Sequence, residues 1–159
     1  MRLAVLSDTH LSEPTPWFAA VYARHLAGAD MVLHCGDATG VSLWSFLLQH
    51  PRFEAVAGNS DAYDLAAQLP QKLEFSLGGL RLAAVHGWGP RPGLSERIAR
   101  TYAGQHDLIF FGHSHAIEDV TCGTTRLINP GSLRPGGSLA LIEFGPAEVQ
   151  VRFVAMPEI

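Results

Sequence analysis

The sequence predicts an α/β fold in which two β-sheets pack together and helices flank them. Three observations point there. In the first half, short apolar runs alternate with helical patterns, as strands joined by helical crossovers do. In the second half, apolar runs come in pairs around turn residues, as hairpins do. A chain of 159 residues, 47% hydrophobic and 16% charged, is long enough for one packed domain over 1–159 that needs no disulfide.

The elements follow in order. Leu3 to Leu6 form a short apolar run, read as a buried strand that delivers "SDTH" at its end. Thr15 and Pro16 supply a helix cap and first-turn proline, and Trp17 to Ala27 carry a helical pattern closed by Gly28, with Trp17, Phe18 and Val21 as core residues. "DMVLHCGD" repeats the first theme, Val41 to Gln49 look helical before His50 and Pro51, and "RFEAVAGNSD" is a third strand with a polar end. Asp61 is read as the cap of the next helix or a support for Asn59. "KLEFSLGGLRLAAVHG" is a hairpin about Gly78 and Gly79. Beyond the loop "GWGPRPGLS", a helix is expected over Glu96 to Ala103, capped by Ser95. "DLIFFGHSH" is again a buried strand, and "AIEDVTCGTTRLIN" and "SLALIEFGPAEVQVRFVAM" are two more hairpins.

Composition removes several function classes. Eleven Lys and Arg against fifteen Asp and Glu give a net charge of -4, and the basic residues are scattered, which argues against long nucleic acid as a partner. Cys35 and Cys122 form no C-x-x-C pair and are expected as free thiols. No run of 18 apolar residues occurs, so no membrane partner is expected and a cytoplasmic location fits.

The informative residues sit just after the apolar runs: Asp8 and His10, Asp37, Asn59, His86, then His113 and His115. Ligands collect at such strand ends in open α/β sheets. Two carboxylates, four imidazoles and an amide exceed what one four-coordinate ion uses, and are enough for two. Two divalent cations with two aspartates and a hydroxide leave about one positive charge, which suits a phosphate group. On an extended segment, His113 and His115 would share one face and converge on one point. Glycines beside Asp37, Asn59, His86 and His113 permit the tight backbone turns such a cluster needs.

These motifs, "SDTH", "HCGD", "AGNSD", "VHG" and "GHSH", with "INPGS" further on, resemble those of the calcineurin-like metallophosphoesterases, in particular their small bacterial and archaeal phosphodiesterase branch. The resemblance covers roughly residues 5–132. It implies a four-layer αββα sandwich with two mixed sheets. It also implies a dinuclear centre: Asp8, His10 and His115 on one metal, Asn59, His86 and His113 on the other, and Asp37 bridging both. His113 and His115 would then serve neighbouring metals. Asp37, Asn59 and His113 are assigned to the reaction, a phosphodiester hydrolysis in which a metal-bound hydroxide attacks phosphorus in line. Manganese is the family-style metal, with Fe²⁺, Co²⁺, Ni²⁺ or Zn²⁺ open, since mixed N and O shells accept them all. The substrate implied is a small phosphoester.

One position departs from the wider superfamily, where a histidine follows the asparagine and helps protonate the leaving group; here it is Ser60. A serine hydroxyl donates a proton poorly near neutral pH, which directs the expectation to substrates with good leaving groups. Two other readings stand beside this one: a protein-interaction scaffold on the same fold, and a nuclease or cyclic-nucleotide phosphodiesterase. Around the centre, His34 is read as a support of Asp37 or a buried structural histidine. Trp88 and Arg91 cover the substrate or simply pack, and Arg134 is left unassigned. His25, His50 and His106 are left out of the site.

Overall fold

The computed structural model describes residues 1–159. Strand β1 (Arg2–Leu6) shows how its layers arise, because its side chains alternate between two cores. Leu3 and Val5 enter the core between the sheets, whereas Ala4 and Leu6 enter the core beneath the helices of the first half. That is the period of two expected of a strand buried on both faces. The same alternation recurs in β2 (Met31–His34), where Val32 faces the helices and Met31 and Leu33 face the other sheet.

The first sheet has the order β10-β9-β1-β2-β3, with β3 at Phe53–Ala55, β9 at Ser138–Phe144 and β10 at Val149–Ala155. Strands β1, β2 and β3 are parallel, and β9 and β10 run antiparallel at the edge. The second sheet, β4-β5-β6-β8-β7, is also mixed. It contains the hairpin β4 (Lys72–Leu77) and β5 (Leu80–Val85), the strand β6 (Leu108–Phe110), and the hairpin β7 (Ile117–Cys122) and β8 (Thr125–Pro130).

Helices α1 (Pro16–Val21), α2 (Val41–Leu47) and α3 (Tyr63–Ala66) cover the first sheet. Helix α4 (Leu94–Thr101) covers the second through Leu94 and Ile98, packed with Ala83, Val85, Ile109, Phe111 and Leu127. The result is the expected four-layer αββα sandwich in one domain. Each fully buried leucine contributes roughly 1.5–3 kcal/mol; the core between the sheets holds them at a fixed separation, and the outer two fasten the helices.

Local signals mostly hold. Thr15 caps α1, its Oγ1 accepting from the Phe18 N–H at 3.1 Å, with Pro16 in the first turn. The helix continues through Tyr22–Leu26 as a wider π turn, closed by the Ala27 N–H on the Tyr22 carbonyl. Phe18 and Val21 are core residues and Trp17 packs against them. Both cysteines are free.

Two expectations need correction. Helix α4 begins at Leu94 rather than Glu96, after Gly93 in a left-handed conformation, and Ser95 lies inside it. Burial of Leu94 draws the chain into the helix a turn-half earlier, so Ser95 is itself buried and its hydroxyl turns to Glu96. Asp61 does not cap α3, whose N-cap is Ala62. Its carboxylate instead accepts from the N–H groups of Gly58 at 2.6 Å and Thr39 at 2.8 Å. It therefore ties the loop of Asn59 to that of Asp37, the supporting role that the sequence left open.

Candidate metal centre

All seven residues lie at the C-terminal ends of β1, β2, β3, β5 and β6, where the two sheets meet. The backbone there is strained. Six non-glycine residues have φ between 49° and 75°, and five of them are Asp8, His10, Asp37, His113 and His115; the sixth is Thr39. Such conformations cost about 1–3 kcal/mol each and cluster at functional sites. They persist because the loops are cross-tied: the Asp8 and His10 N–H groups donate to the carbonyls of Gly36 and Asp37, both at 3.0 Å.

The strain corrects the extended geometry expected for "GHSH". Strand β6 ends at Phe110, and His113 and His115 are both left-handed, so their rings do not share one face. His113 turns towards Asn59 and His86, and His115 towards Asp8 and His10. Gly112 makes this possible, since a Cβ there would stand 2.0 Å from the Ser7 Oγ and 2.6 Å from the Asp8 Oδ2. Gly58 has the same role beside Asp37, 2.1 Å from its Oδ1.

Asp8 is fully buried. Its Oδ2 accepts from the Ser7 hydroxyl at 2.6 Å and from the His113 N–H at 3.1 Å. Its Oδ1 is buried and has no partner, a costly state for a carboxylate oxygen. Around that oxygen lie the Nε2 atoms of His115 at 3.2 Å, His10 at 3.8 Å and His86 at 3.9 Å. Asp8, His10 and His115 form one group whose donor atoms all lie within 4.8 Å of one another, and Asp8, Asp37 and His86 form another.

Tautomers explain what the arrangement lacks. The His86 Nδ1 is 2.7 Å from the Cys35 carbonyl and must donate to it, which leaves a lone pair on Nε2. By the same argument the His113 Nε2, 2.8 Å from the Gly89 carbonyl, donates and leaves a lone pair on Nδ1. Both lone pairs face the Asn59 Oδ1, at 3.0 and 3.1 Å. The Asp37 Oδ2 is 3.3 Å from the His86 Nε2 and 3.8 Å from the His10 Nε2. Four acceptors so placed repel one another unless positive charge stands between them. With metal–donor bonds of about 2.1 Å, adjacent ligands are roughly 3.0–3.4 Å apart, the spacing found here. The residues therefore fit a metal.

The same charges shift the titration of these groups. Burial pushes the His86 imidazole down, but the hydrogen bond with Asp37 and the charges of Asp8 and Asp37 outweigh it and raise its pKa. Burial pushes the Asp37 carboxyl up, yet His86, the Ser60 N–H at 2.8 Å and His10 hold it down to about 2. His115 is lowered, chiefly by burial, against the pull of Asp8.

A ring of supports positions these ligands. The Ser132 hydroxyl donates to the Asp8 carbonyl at 2.7 Å. Asn129 donates to the Gly112 carbonyl and the Ser114 hydroxyl, both at 3.0 Å, which gives "INPGS" a supporting task. His34 is buried; its Nδ1 accepts from the Gly36 N–H at 3.1 Å, so its Nε2 donates to the Thr9 hydroxyl at 3.0 Å. Burial holds its pKa down to about 3, so it stays neutral and links the Asp8 and Asp37 loops. Trp88 lines a cleft beside Asn59, His86 and His113. Arg134 lines a separate depression beside His115. His50 and His106 are buried away from the ligands, and His25 makes no contact with them.

Comparison with known proteins gives this geometry a family. The sequence model of the calcineurin-like phosphoesterase superfamily domain matches residues 1–149. A Mycoplasma pneumoniae protein named "Probable metallophosphoesterase" is 32% identical over 139 residues, 83% of this chain and 79% of that one. Among solved structures, a novel archaeal phosphodiesterase superposes with a TM-score of 0.74 at 17% identity, over 97% of this chain and all of that one. Vps29 of Chaetomium thermophilum also gives 0.74, at 18% identity and complete coverage of both. At those identities the two structures speak for the fold alone.

Proposed function

The chain belongs to the calcineurin-like phosphoesterase superfamily, and from that premise we propose that it is a phosphodiesterase working with two divalent cations, manganese for preference. The observation that carries the reading is the unpartnered, fully buried Asp8 Oδ1 faced by three imidazole nitrogens. A scaffold has no need of that arrangement, which is costly until a cation fills it.

His10 and His115, with Asp8, would hold one cation; Asn59, His86 and His113 the other; Asp37 stands between the two groups. When bound, the cations supply Lewis acidity towards the phosphoryl oxygens and acidify the water that serves as nucleophile. The chain's own contribution is position. The Cys35 and Gly89 carbonyls fix the tautomers of His86 and His113. Asp8 and Asp37 bring two negative charges, fewer than two divalent cations supply, so the site favours an anionic ester. Asp37, Asn59 and His113 would act on the reaction by holding a cation next to the cleft that Asn59 and His113 line.

Ser60 lies beside Asn59, its hydroxyl 3.4 Å from the Asn59 Nδ2, and offers no ready proton for a departing alkoxide. Esters with good leaving groups are therefore the substrates. The test compares an aryl diester with an alkyl monoester on the Mn²⁺-loaded protein, with Asp37→Ala as the control. Diester turnover that exceeds monoester turnover and vanishes in the variant is expected; the reverse preference, or turnover that survives in Asp37→Ala, refutes the reading. Ser60→His should raise turnover of poor leaving groups by roughly a hundredfold, at the low end of what a general acid contributes.

A further inference from the structure

We propose that the cleft beside Asn59, His86 and His113 receives a nucleobase, so that the substrates are nucleoside-bearing phosphodiesters; the substrate class rests on the phosphodiesterase reading above. The cleft has a volume of about 430 Å³ and is continuous with those three ligands. Its wall also draws on parts of the chain distant in sequence: Trp88 after β5, Tyr102 after α4, Gln71 just before β4 and Lys72 at its start.

The chemistry of that wall is specific. Trp88 is 39% exposed and lines the cleft, so indole surface is available in a cleft that otherwise leads to charged ligands. Tyr102 packs beside it in a T-shaped contact, ring centroids 6.3 Å apart and planes at 88°, which braces the indole. A planar ring stacking there gains free energy with little regard to which base it is. Gln71 supplies an amide donor and acceptor for the edge of such a ring. The Lys72 ammonium lies 5.0 Å from the Tyr102 centroid and pairs with Glu74, so it braces the wall and brings no net charge. A polar, hydrogen-bonding ring suits this lining better than an acyl chain or a second phosphate.

The Trp88 loop is also held rather than loose. Arg97 of α4 donates to the Trp88 carbonyl and to the Pro90 carbonyl, each at 2.6 Å through Nη2. The next carbonyl, that of Gly89, accepts from His113. The aromatic platform and one ligand thus share a single peptide segment, which places the ring site and the phosphoryl site at a fixed spacing.

The experiment is calorimetric binding to the Mn²⁺-loaded protein of two probes that differ only by a base, adenosine 5′-monophosphate and ribose 5-phosphate. The nucleotide should bind at least about tenfold more tightly, as one stacked base permits. Trp88→Ala should bring it to within about twofold of the sugar phosphate, whose own affinity stays put, and Trp88→Phe should keep most of the preference. Equal affinity of the two probes in the wild type, or no nucleotide binding, overturns the proposal; so does a Trp88→Ala variant that weakens both probes alike. Turnover of methyl p-nitrophenyl phosphate, measured in parallel, tests the phosphodiesterase reading separately. If that turnover is absent while base-dependent binding remains, the catalytic reading fails and the nucleobase site stands.

Discussion

The two ends of the centre are built to different standards. At the Asn59, His86 and His113 end, His86 is 4% exposed and both imidazoles have their outer nitrogen fixed by a backbone carbonyl. At the other end the His10 and His115 side chains are 37% and 30% exposed, and neither Nδ1 has a hydrogen-bond partner in the chain. One end is preorganised by its surroundings. The other relies on strained backbone and on Asp8 alone for rigidity. The difference teaches that affinity should be set at the braced end and exchange at the open one, because outer partners orient ligands and raise their basicity.

Four outcomes would break or sharpen that comparison. The largest effect is expected where the ends meet. Asp37→Ala should cost turnover more than a hundredfold, beyond the roughly 10–100-fold that outer-shell partners cost, and should release cations from both ends, read by metal analysis after desalting. Next, His86→Ala should weaken Mn²⁺ binding about tenfold or more beyond His115→Ala, since it removes a ligand together with the outer tie that orients it. Calorimetric titration reads both, and a larger loss in His115→Ala would reverse the ranking of the ends.

The third effect is that of a support. Ser132→Ala removes the hydrogen bond to the Asp8 carbonyl and should lower stability by about 1 kcal/mol, seen as a lower midpoint in urea. If it costs metal affinity as well, the strained backbone is shown to depend on its ties.

The fourth is pH. In the metal-free chain the raised His86 contributes stability that is full below its unfolded pKa of 6.5 and is lost as pH rises through its folded value. Asp37, held down to about 2 from 3.8, contributes above 3.8 and loses that contribution as pH falls towards 2. His34, held down to about 3 from 6.5 by burial, contributes stability that is lost as pH falls below 6.5, so the metal-free protein should be most stable near pH 6.5, losing melting temperature towards about pH 4 and a little from about pH 6.5 to 8. Mn²⁺ affinity should rise over the same interval, since the cation displaces the His86 proton.

Much of this was legible in the sequence, for a physical reason. Buried strands announce themselves as apolar runs, and a ligand that must stand at a strand end follows its run directly, as Asp8, Asp37, Asn59 and His86 do. Glycines at 58 and 112 marked the close approaches. His34 and Asp61 were legible as possible supports, but the tie from Ser132 to Asp8 was not, because the two are separated by 124 positions and a lone serine carries no sign of its distant partner. Lys72 and Tyr102 escaped notice likewise, since only the packing of α4 and β4 brings them beside Trp88. The turn of His113 and His115 away from each other was hidden by reading Gly112 as the tip of a strand rather than the start of a left-handed loop.

The most direct measurement is anomalous diffraction at the manganese edge from crystals saturated with Mn²⁺. Two peaks about 3.5–4 Å apart, one bounded by Asp8, His10 and His115 and the other by Asn59, His86 and His113 with Asp37 between them, are the predicted result. A map with no peak among these seven side chains would contradict the account.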